Sequence, residues 1–258
     1  MSEEPEKLSE GTLISHLLEL RDRLIRATIV VVAAFIPCAY WANELFTFVA
    51  TPLKAKLPPG SELVTTSVTT SFTVPFKLSF FVALFIAIPY LLYQVWAFVA
   101  PGLYKHEKRF ALPLILTSII LFYVGVAFAY TFVFPVMFQF FAATAPKGVK
   151  MMTDISQFLD FVLTMFLAFG VAFEVPIAVV LLVLTGIVTQ EKLKSGRGFV
   201  LIGIFVIAAI LTPPDAVSQC IMAVPMYLLY EGGLIMARVL MKMRREAQKE
   251  QEDKDQAE

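Results

Sequence analysis

Phe110-Ala-Leu-Pro-Leu-Ile-Leu-Thr-Ser-Ile-Ile-Leu-Phe-Tyr-Val-Gly-Val-Ala-Phe-Ala-Tyr130 carries no charged side chain, and the uncharged run continues to Pro146. Residues 78–104 and 198–214 are equally free of Asp, Glu, Lys and Arg. About 20 mostly apolar residues suffice for a helix to cross a hydrocarbon core of about 30 Å, so the two longer runs each suffice for a span. The whole chain has 258 residues, 58% hydrophobic and 16% charged, with a mean hydropathy of +0.76. Soluble domains are about 25% charged and have no use for uncharged runs of this length. The composition therefore excludes a soluble domain and, away from the chain ends, disorder.

Other apolar segments flank this one. The first is 24–43, ending on Tyr40 and Trp41, an aromatic pair suited to a membrane interface. The second, about 78–100, contains Pro89, which predicts a kink. The third, about 111–135, stops near Pro135, and the fourth, about 158–184, holds Glu174 and Pro176. The fifth, 199–212, ends at Pro213 and Pro214, and the sixth, 216–236, contains Pro225 and Glu231. Read as one helix, 199–230 would be about 48 Å long, too long for the core and broken by two prolines, so it counts as two short spans. The expectation is an all-α polytopic membrane protein with six transmembrane helices, the last two short. Residues 1–23 form a cytoplasmic segment with an amphipathic helix, 24–238 the membrane domain, and 239–258 a charged tail, disordered or a fraying helical extension.

Orientation follows from Lys and Arg, which accumulate in cytoplasmic loops. With six spans, Lys7, Arg21, Arg23 and Arg26, the basic residues of 105–109 and 192–197, and those of the tail share one side. That is sixteen of the 21 basic residues. Lys54, Lys56, Lys77, Lys147 and Lys150 fall on the other. Both termini are thus expected in the cytoplasm. The outer loops, roughly 44–76 and 136–157, are expected to be irregular or short helical caps, with Asp154 or Ser156 capping the fourth span. The acidic opening of the chain gives no cleavable signal peptide. Cys38 and Cys220 sit in apolar runs and set up no disulfide framework. His16 and His106 stand alone, so no metal is expected, and no nucleotide-binding fingerprint occurs. Topology accounts for the basic residues, so no nucleic-acid partner is implied, and no cofactor.

The acids are the informative polar groups. An ionisable residue inside a span costs about 2.5–3.5 kcal/mol on insertion scales. Glu174 is mid-span beside Pro176. It is either a protonated acid bonded within the bundle or a polar point in a cavity used by a partner or substrate. Glu231 lies near the inner end of the sixth span, where an interfacial acid is tolerated. Asp215 reads as a cap for that span. In the N-terminal segment Leu17, Leu20 and Leu24 share one helical face. Glu19 there is four residues from Arg23, so the two can pair. Glu107 lies among Lys105, His106, Lys108 and Arg109. Local salt bridging explains both acids; so does an acidic patch for a cationic peptide, which arginine would satisfy bidentately. The residues alone leave that choice open.

Five stretches together resemble the TatC family, the multi-spanning subunits of the twin-arginine protein translocase. They are Ser15-His-Leu-Leu-Glu-Leu-Arg-Asp-Arg-Leu24, Tyr93-Gln-Val-Trp-Ala-Phe-Val-Ala-Pro-Gly-Leu-Tyr-Lys-His-Glu-Lys-Arg109, Phe169-Gly-Val-Ala-Phe-Glu-Val-Pro176, Leu211-Thr-Pro-Pro-Asp215 and Pro225-Met-Tyr-Leu-Leu-Tyr-Glu231. The resemblance implies a receptor for signal peptides with paired arginines, not an enzyme. It would act in proton-motive-force-driven export of folded proteins across the bacterial cytoplasmic membrane. It implies single-span partners of the TatA and TatB type, self-association within a larger complex, and a cupped, concave bundle. Glu19 and Glu107 would bind the arginines, with Arg21, Phe98 and Tyr104 beside them, and Glu174 would be a polar site facing the concave cavity. Pro52, Pro89, Asp215, Gln219 and Glu231 would be structural or assembly positions. The loop 185–198 is less basic than in many members of the family, which weakens any transfer of roles to Lys194 and Arg197. The competing reading is a small proton-coupled secondary transporter or channel with Glu174 and Glu231 as relay groups. It calls for paired broken helices in an internal repeat, which the two halves of the chain do not display.

The charge tally makes a direct prediction. Single cysteines introduced at Ser9 and Gln251 in a variant lacking Cys38 and Cys220 should react with a membrane-impermeant maleimide only after the cells are opened. One at Gly60 should react in intact spheroplasts. Labelling of only one chain end in intact cells would refute the six-span topology.

Overall fold

The computed structural model describes residues 4–54, 62–99, 111–144, 152–213 and 215–255. Its helices are α1 (Glu4–Tyr40), α2 (Ala42–Lys54), α3 (Thr70–Val99), α4 (Ala111–Phe128), α5 (Phe134–Thr144), α6 (Ile155–Ala172), α7 (Val175–Leu184), α8 (Gln190–Ser195), α9 (Arg197–Leu211) and α10 (Ala216–Asp255). Five helical stretches are long and apolar enough to cross a membrane: Ile14–Tyr40, Thr70–Phe98, Leu112–Thr144, Ile155–Leu184 and Ala216–Met243. Large apolar side chains such as Ile36, Phe132 and Leu228 are mostly exposed on them. A water-soluble protein could not carry so many contiguous exposed apolar groups; against lipid they cost nothing. The chain is an all-α polytopic membrane protein. The apolar α9, at 15 residues, is about 22 Å long, shorter than the hydrocarbon core.

Two departures from the sequence reading have clear causes. The third apolar helix does not stop at Pro135. Residues Ala129–Val133 form a π-helical turn in which the Phe134 N–H donates to the Ala129 carbonyl, and the helix continues as α5 to Thr144. Pro135 brings no N–H to the ladder, and the wider turn just before it lets the helix pass the gap. The second departure lies in the loops expected outside. The first begins with the helix α2, in keeping with the short helical cap expected, but β1 (Glu62–Val64) pairs in parallel with β2 (Met152–Asp154), Leu63 opposite Thr153, where no strand was expected. This ladder ties together two segments far apart in sequence.

The chain divides into two compact units, residues 1–55 with 65–119, and residues 56–64 with 120–258. In the first, α1 runs unbroken through residue 24 and packs along α3. The small residues Ala83 and Ala87, four apart on α3, are buried, which permits a close approach of backbones. Phe35 meets Phe80 edge to face at 6.0 Å. The Trp96 indole N–H donates to Ser118 Oγ at 2.8 Å, so a buried donor is satisfied. α3 remains helical through both Pro75 and Pro89.

The second unit is built on phenylalanines. Phe134 meets Phe166 at 5.2 Å, Phe128 meets Phe169 at 5.7 Å, and Phe138 stacks on Phe158 at 5.8 Å. Asp154 caps α6 by accepting from the Ser156 and Gln157 N–H groups, as its sequence position suggested. Gly186, at φ +71°, takes the left-handed conformation that turns the chain after α7. α10 packs against α7, and the contact needs Gly233: a β-carbon there would stand 2.8 Å from Pro176 Cα. α9 is held to α10 by Arg197 Nη2, which donates to Glu231 Oε2 at 2.6 Å. Beyond residue 239, α10 continues as helix to Asp255.

Two stability predictions follow from these contacts. Gly233→Ala should destabilise the protein by about 1–3 kcal/mol, since neither backbone can yield cheaply. Gly203→Ala, in the open middle of α9 with nothing near the added carbon, should be neutral or raise stability by up to about 1 kcal/mol. Thermal unfolding in detergent compares the two, and equal effects would contradict the packing described. For the ion pair, a double-mutant cycle on Arg197→Ala and Glu231→Ala should give a coupling of about 0.5–1 kcal/mol, because the guanidinium is still 45% exposed.

Candidate functional site

The acids singled out from the sequence occupy three different settings. Glu19 lies on α1, one turn before Arg23, and the two side chains pair. Arg23 Nε donates to Glu19 Oε1 at 2.9 Å and Nη2 donates to the same oxygen at 2.5 Å. The guanidinium also reaches across to α3, donating from Nη1 to Gln94 Oε1 at 3.1 Å and from Nη2 to the Ala97 carbonyl at 3.2 Å. Gln94 is buried and uses its amide nitrogen on the Tyr90 hydroxyl at 2.6 Å. His16 Nδ1 lies 3.9 Å from Glu19 Oε2, beyond hydrogen-bond distance. The His16 ring stacks on Phe98 with centroids 4.3 Å apart. Arg21 is exposed and bonds its neighbour Asp22 at 2.8 Å. Phe98 and Glu19 are thus brought together through His16, whereas Arg21 is not. Tyr104 and Glu107 lie outside the described residues.

Glu174 stands at the break between α6 and α7. Pro176 supplies no N–H to the carbonyl of Ala172, and the chain steps through one turn, Glu174 N–H bonding to Val171 O at 3.0 Å. The acid sits at the N-cap of α7 without capping it through its side chain. Its neighbours Phe173 and Pro176, with Phe128, Pro225, Leu228, Leu229, Gly232 and Met236, line an apolar groove of about 460 Å³. Glu174 is beside that groove and not among its lining residues.

Glu231 is partly exposed and is not isolated. It accepts from Arg197 and, through Oε1, from the Tyr227 hydroxyl at 3.0 Å. Asp215 Oδ1 accepts from the Ser218 N–H at 2.7 Å and so caps α10, with Gln219 in the first turn behind it. Pro52 is exposed near the end of α2, and Pro89 is inside α3. Gln190 on α8 donates to the Leu234 carbonyl at 3.0 Å, and Tyr230 donates to the Leu193 carbonyl at 2.8 Å. Among the described residues no cluster of three or more His, Cys, Asp or Glu is placed to hold a metal ion.

Sequence reasoning found the Glu19–Arg23 pair but missed its anchor on α3 and the Arg197–Glu231 pair. The available signal was Gln94 itself, an amide embedded in Leu91-Leu-Tyr-Gln-Val-Trp96 with no evident solvent-facing role.

Comparison with known proteins agrees with this architecture. The family model for the Sec-independent protein translocase protein TatC matches residues 15–225. The Sec-independent protein translocase protein TatC of Haemophilus influenzae is 51% identical over 226 residues, covering 88% of each chain. Those of Azotobacter chroococcum and Escherichia coli K12 are 51% identical over 234 residues and 47% identical over 226, covering 92% and 88% of the relatives' lengths and 91% and 88% of this chain. A crystal structure of the twin arginine translocase receptor TatC superposes with a TM-score of 0.79 at 38% identity, over 87% of this chain and 98% of that one. The chain belongs to the TatC family of Sec-independent protein translocase proteins.

Proposed function

We propose that this chain is the signal-peptide receptor and core membrane subunit of a twin-arginine translocase in the bacterial cytoplasmic membrane, exporting folded proteins at the expense of the proton-motive force. The observation that carries the reading is the part-exposed Glu19 carboxylate on α1, in a chain about half identical to translocase proteins over most of its length. A carboxylate there attracts a cationic peptide, and a charge-assisted bond from arginine contributes about 1.5–3 kcal/mol. Glu107 supplies the second carboxylate, and Arg21, Phe98 and Tyr104 are the further positions that this reading gives to peptide binding. The apolar part of the signal peptide then packs along the spans, and Glu174 offers a polar contact at depth, where an unmatched polar group is costly.

In this reading α9 is the fifth span, short as the sequence suggested, and brings the count to six, with α10 carrying the sixth, in the concave bundle the family resemblance implies. Both termini are cytoplasmic, as the distribution of Lys and Arg supports. Residues 1–23, 24–238 and 239–258 serve as peptide-facing segment, membrane domain and tail. Pro52, Pro89, Asp215, Gln219 and Glu231 shape the bundle or its assembly. Six helices leave no room for a pore that passes a folded protein. The path therefore includes single-span TatA-type and TatB-type partners, further copies of this chain, or locally thinned bilayer.

Site-specific crosslinking tests the assignment. A photoreactive group next to the paired arginines of a signal peptide should label the wild-type chain, and Glu19→Ala with Glu107→Ala together should reduce labelling at least tenfold. Undiminished labelling in the double variant would reject the site.

A further inference from the structure

Arg23 has the geometry of a bracket. A guanidinium carries five N–H donors in a fixed plane. Arg23 directs Nε and Nη2 to Glu19, Nη1 to Gln94, and Nη2 also to the Ala97 carbonyl. Two of the four bonds end on neutral acceptors of α3, so the guanidinium is fastened independently of Glu19. Gln94 is itself fixed, because its amide nitrogen is engaged by Tyr90, which turns its oxygen to Arg23. A polar chain thus runs from Tyr90 through Gln94 and Arg23 to Glu19.

Its effect on the acid is specific. Both bonds from Arg23 land on Oε1. Among the described residues, Oε2 has only His16 within ion-pair distance, at 3.9 Å, and the His16 ring is held against Phe98. A carboxylate accepts about four hydrogen bonds, so the pairing with Arg23 consumes one oxygen and leaves the other presented in a defined direction. An arginine merely competing for Glu19 would have no need of a buried glutamine and a backbone carbonyl on a second helix.

We propose that Arg23 and Gln94 are positioning residues that hold the Glu19 carboxylate with Oε2 turned outward for the guanidinium of an incoming peptide, and that Arg23 stays in place when the peptide binds. This rests on the receptor reading above and adds the device that orients its acid. Orientation matters more to a guanidinium, whose donors are directional, than to an ammonium, which acts as a point charge. The bracket therefore sharpens the preference for arginine over lysine.

The test is equilibrium binding to the full-length chain in lipid nanodiscs. The probes are two fluorescent peptides, one with paired arginines before an apolar stretch and one with both arginines replaced by lysine. The wild type should prefer the arginine peptide. In Arg23→Gln and in Gln94→Leu, affinity for the arginine peptide should fall about tenfold and that for the lysine peptide about twofold, so the preference shrinks about fivefold. Gln94→Leu is decisive, since it alters neither net charge nor any group facing the peptide. Arg23→Lys should fall between, because one ammonium cannot span Glu19 and α3 together. A lesion that only lowers the folded fraction reduces the amount of binding while leaving the ratio of dissociation constants intact, and an unchanged ratio overturns the proposal. Tighter binding in Arg23→Gln also overturns it, making Arg23 a competitor for Glu19. If the wild type itself shows no preference, the receptor reading fails instead.

Discussion

Hydrocarbon offers no hydrogen bonds, so each polar group carried into it must find a partner within the protein. The irregular points of this fold are answers to that demand. Seven of the hydroxyls on apolar helices give their proton to the carbonyl four residues earlier: Thr28 to Leu24, Ser79 to Pro75, Thr117 to Pro113, Thr131 to Ala127, Thr144 to Phe140, Thr185 to Leu181 and Thr212 to Ala208. Each is thereby made compatible with lipid or with a packed interior at little cost to the helix. Prolines pose the complementary problem of a missing donor. At Pro135 the helix widens for one turn and continues; at Pro176 it breaks and restarts. The difference is consistent with what lies beyond each. Past Pro135 the helix needs only to go on, whereas past Pro176 it must meet Gly233 of α10 at close range.

The same demand explains what could be read from the amino-acid chain in advance. Uncharged runs located the spans, and local chemistry located the caps, because Asp154 and Asp215 act on N–H groups two or three residues away. Pairing between Glu19 and Arg23 was visible for the same reason, being four residues apart on one helix. What escaped were contacts between elements distant in sequence. Nothing near Arg197 announces Glu231, and nothing near Arg23 announces Gln94. The β1–β2 ladder joins segments that each look like loop. The π-turn escaped for another reason: a proline states that a donor is missing but not how the backbone will accommodate the loss.

α9 shows how a deficient element is secured. At 15 residues it cannot match the hydrocarbon thickness by itself. Its first residue, Arg197, bonds Glu231, which Tyr227 also holds, and the preceding α8 is pinned through Gln190 to the Leu234 carbonyl and through Leu193 to Tyr230. Three polar ties thus fasten the α8–α9 corner to one stretch of α10, residues 227–234. A short helix so attached keeps its register against α10. Glu231 is better understood as part of this fastening than as a proton relay, since its two oxygens are already engaged by neighbours.

Glu19 and Glu174 illustrate how one side-chain type is given opposite uses by its surroundings. Glu19 is on an unbroken helix, with both bonds from the fixed Arg23 guanidinium landing on one of its oxygens. Glu174 is at a helix break, where an acid would ordinarily turn back onto the N–H groups of the following helix and gain from its dipole. It does not cap α7, although Pro176 fits the first turn of a helix well. The break is therefore shaped by the proline and by the packing of α7 on α10, and the carboxyl is not needed to end or begin either helix. Glu174 differs from Asp154 and Asp215, whose side chains do cap the helices that follow them. Glu19 is oriented by its partners on α1 and α3, and Glu174 by the backbone break that carries it.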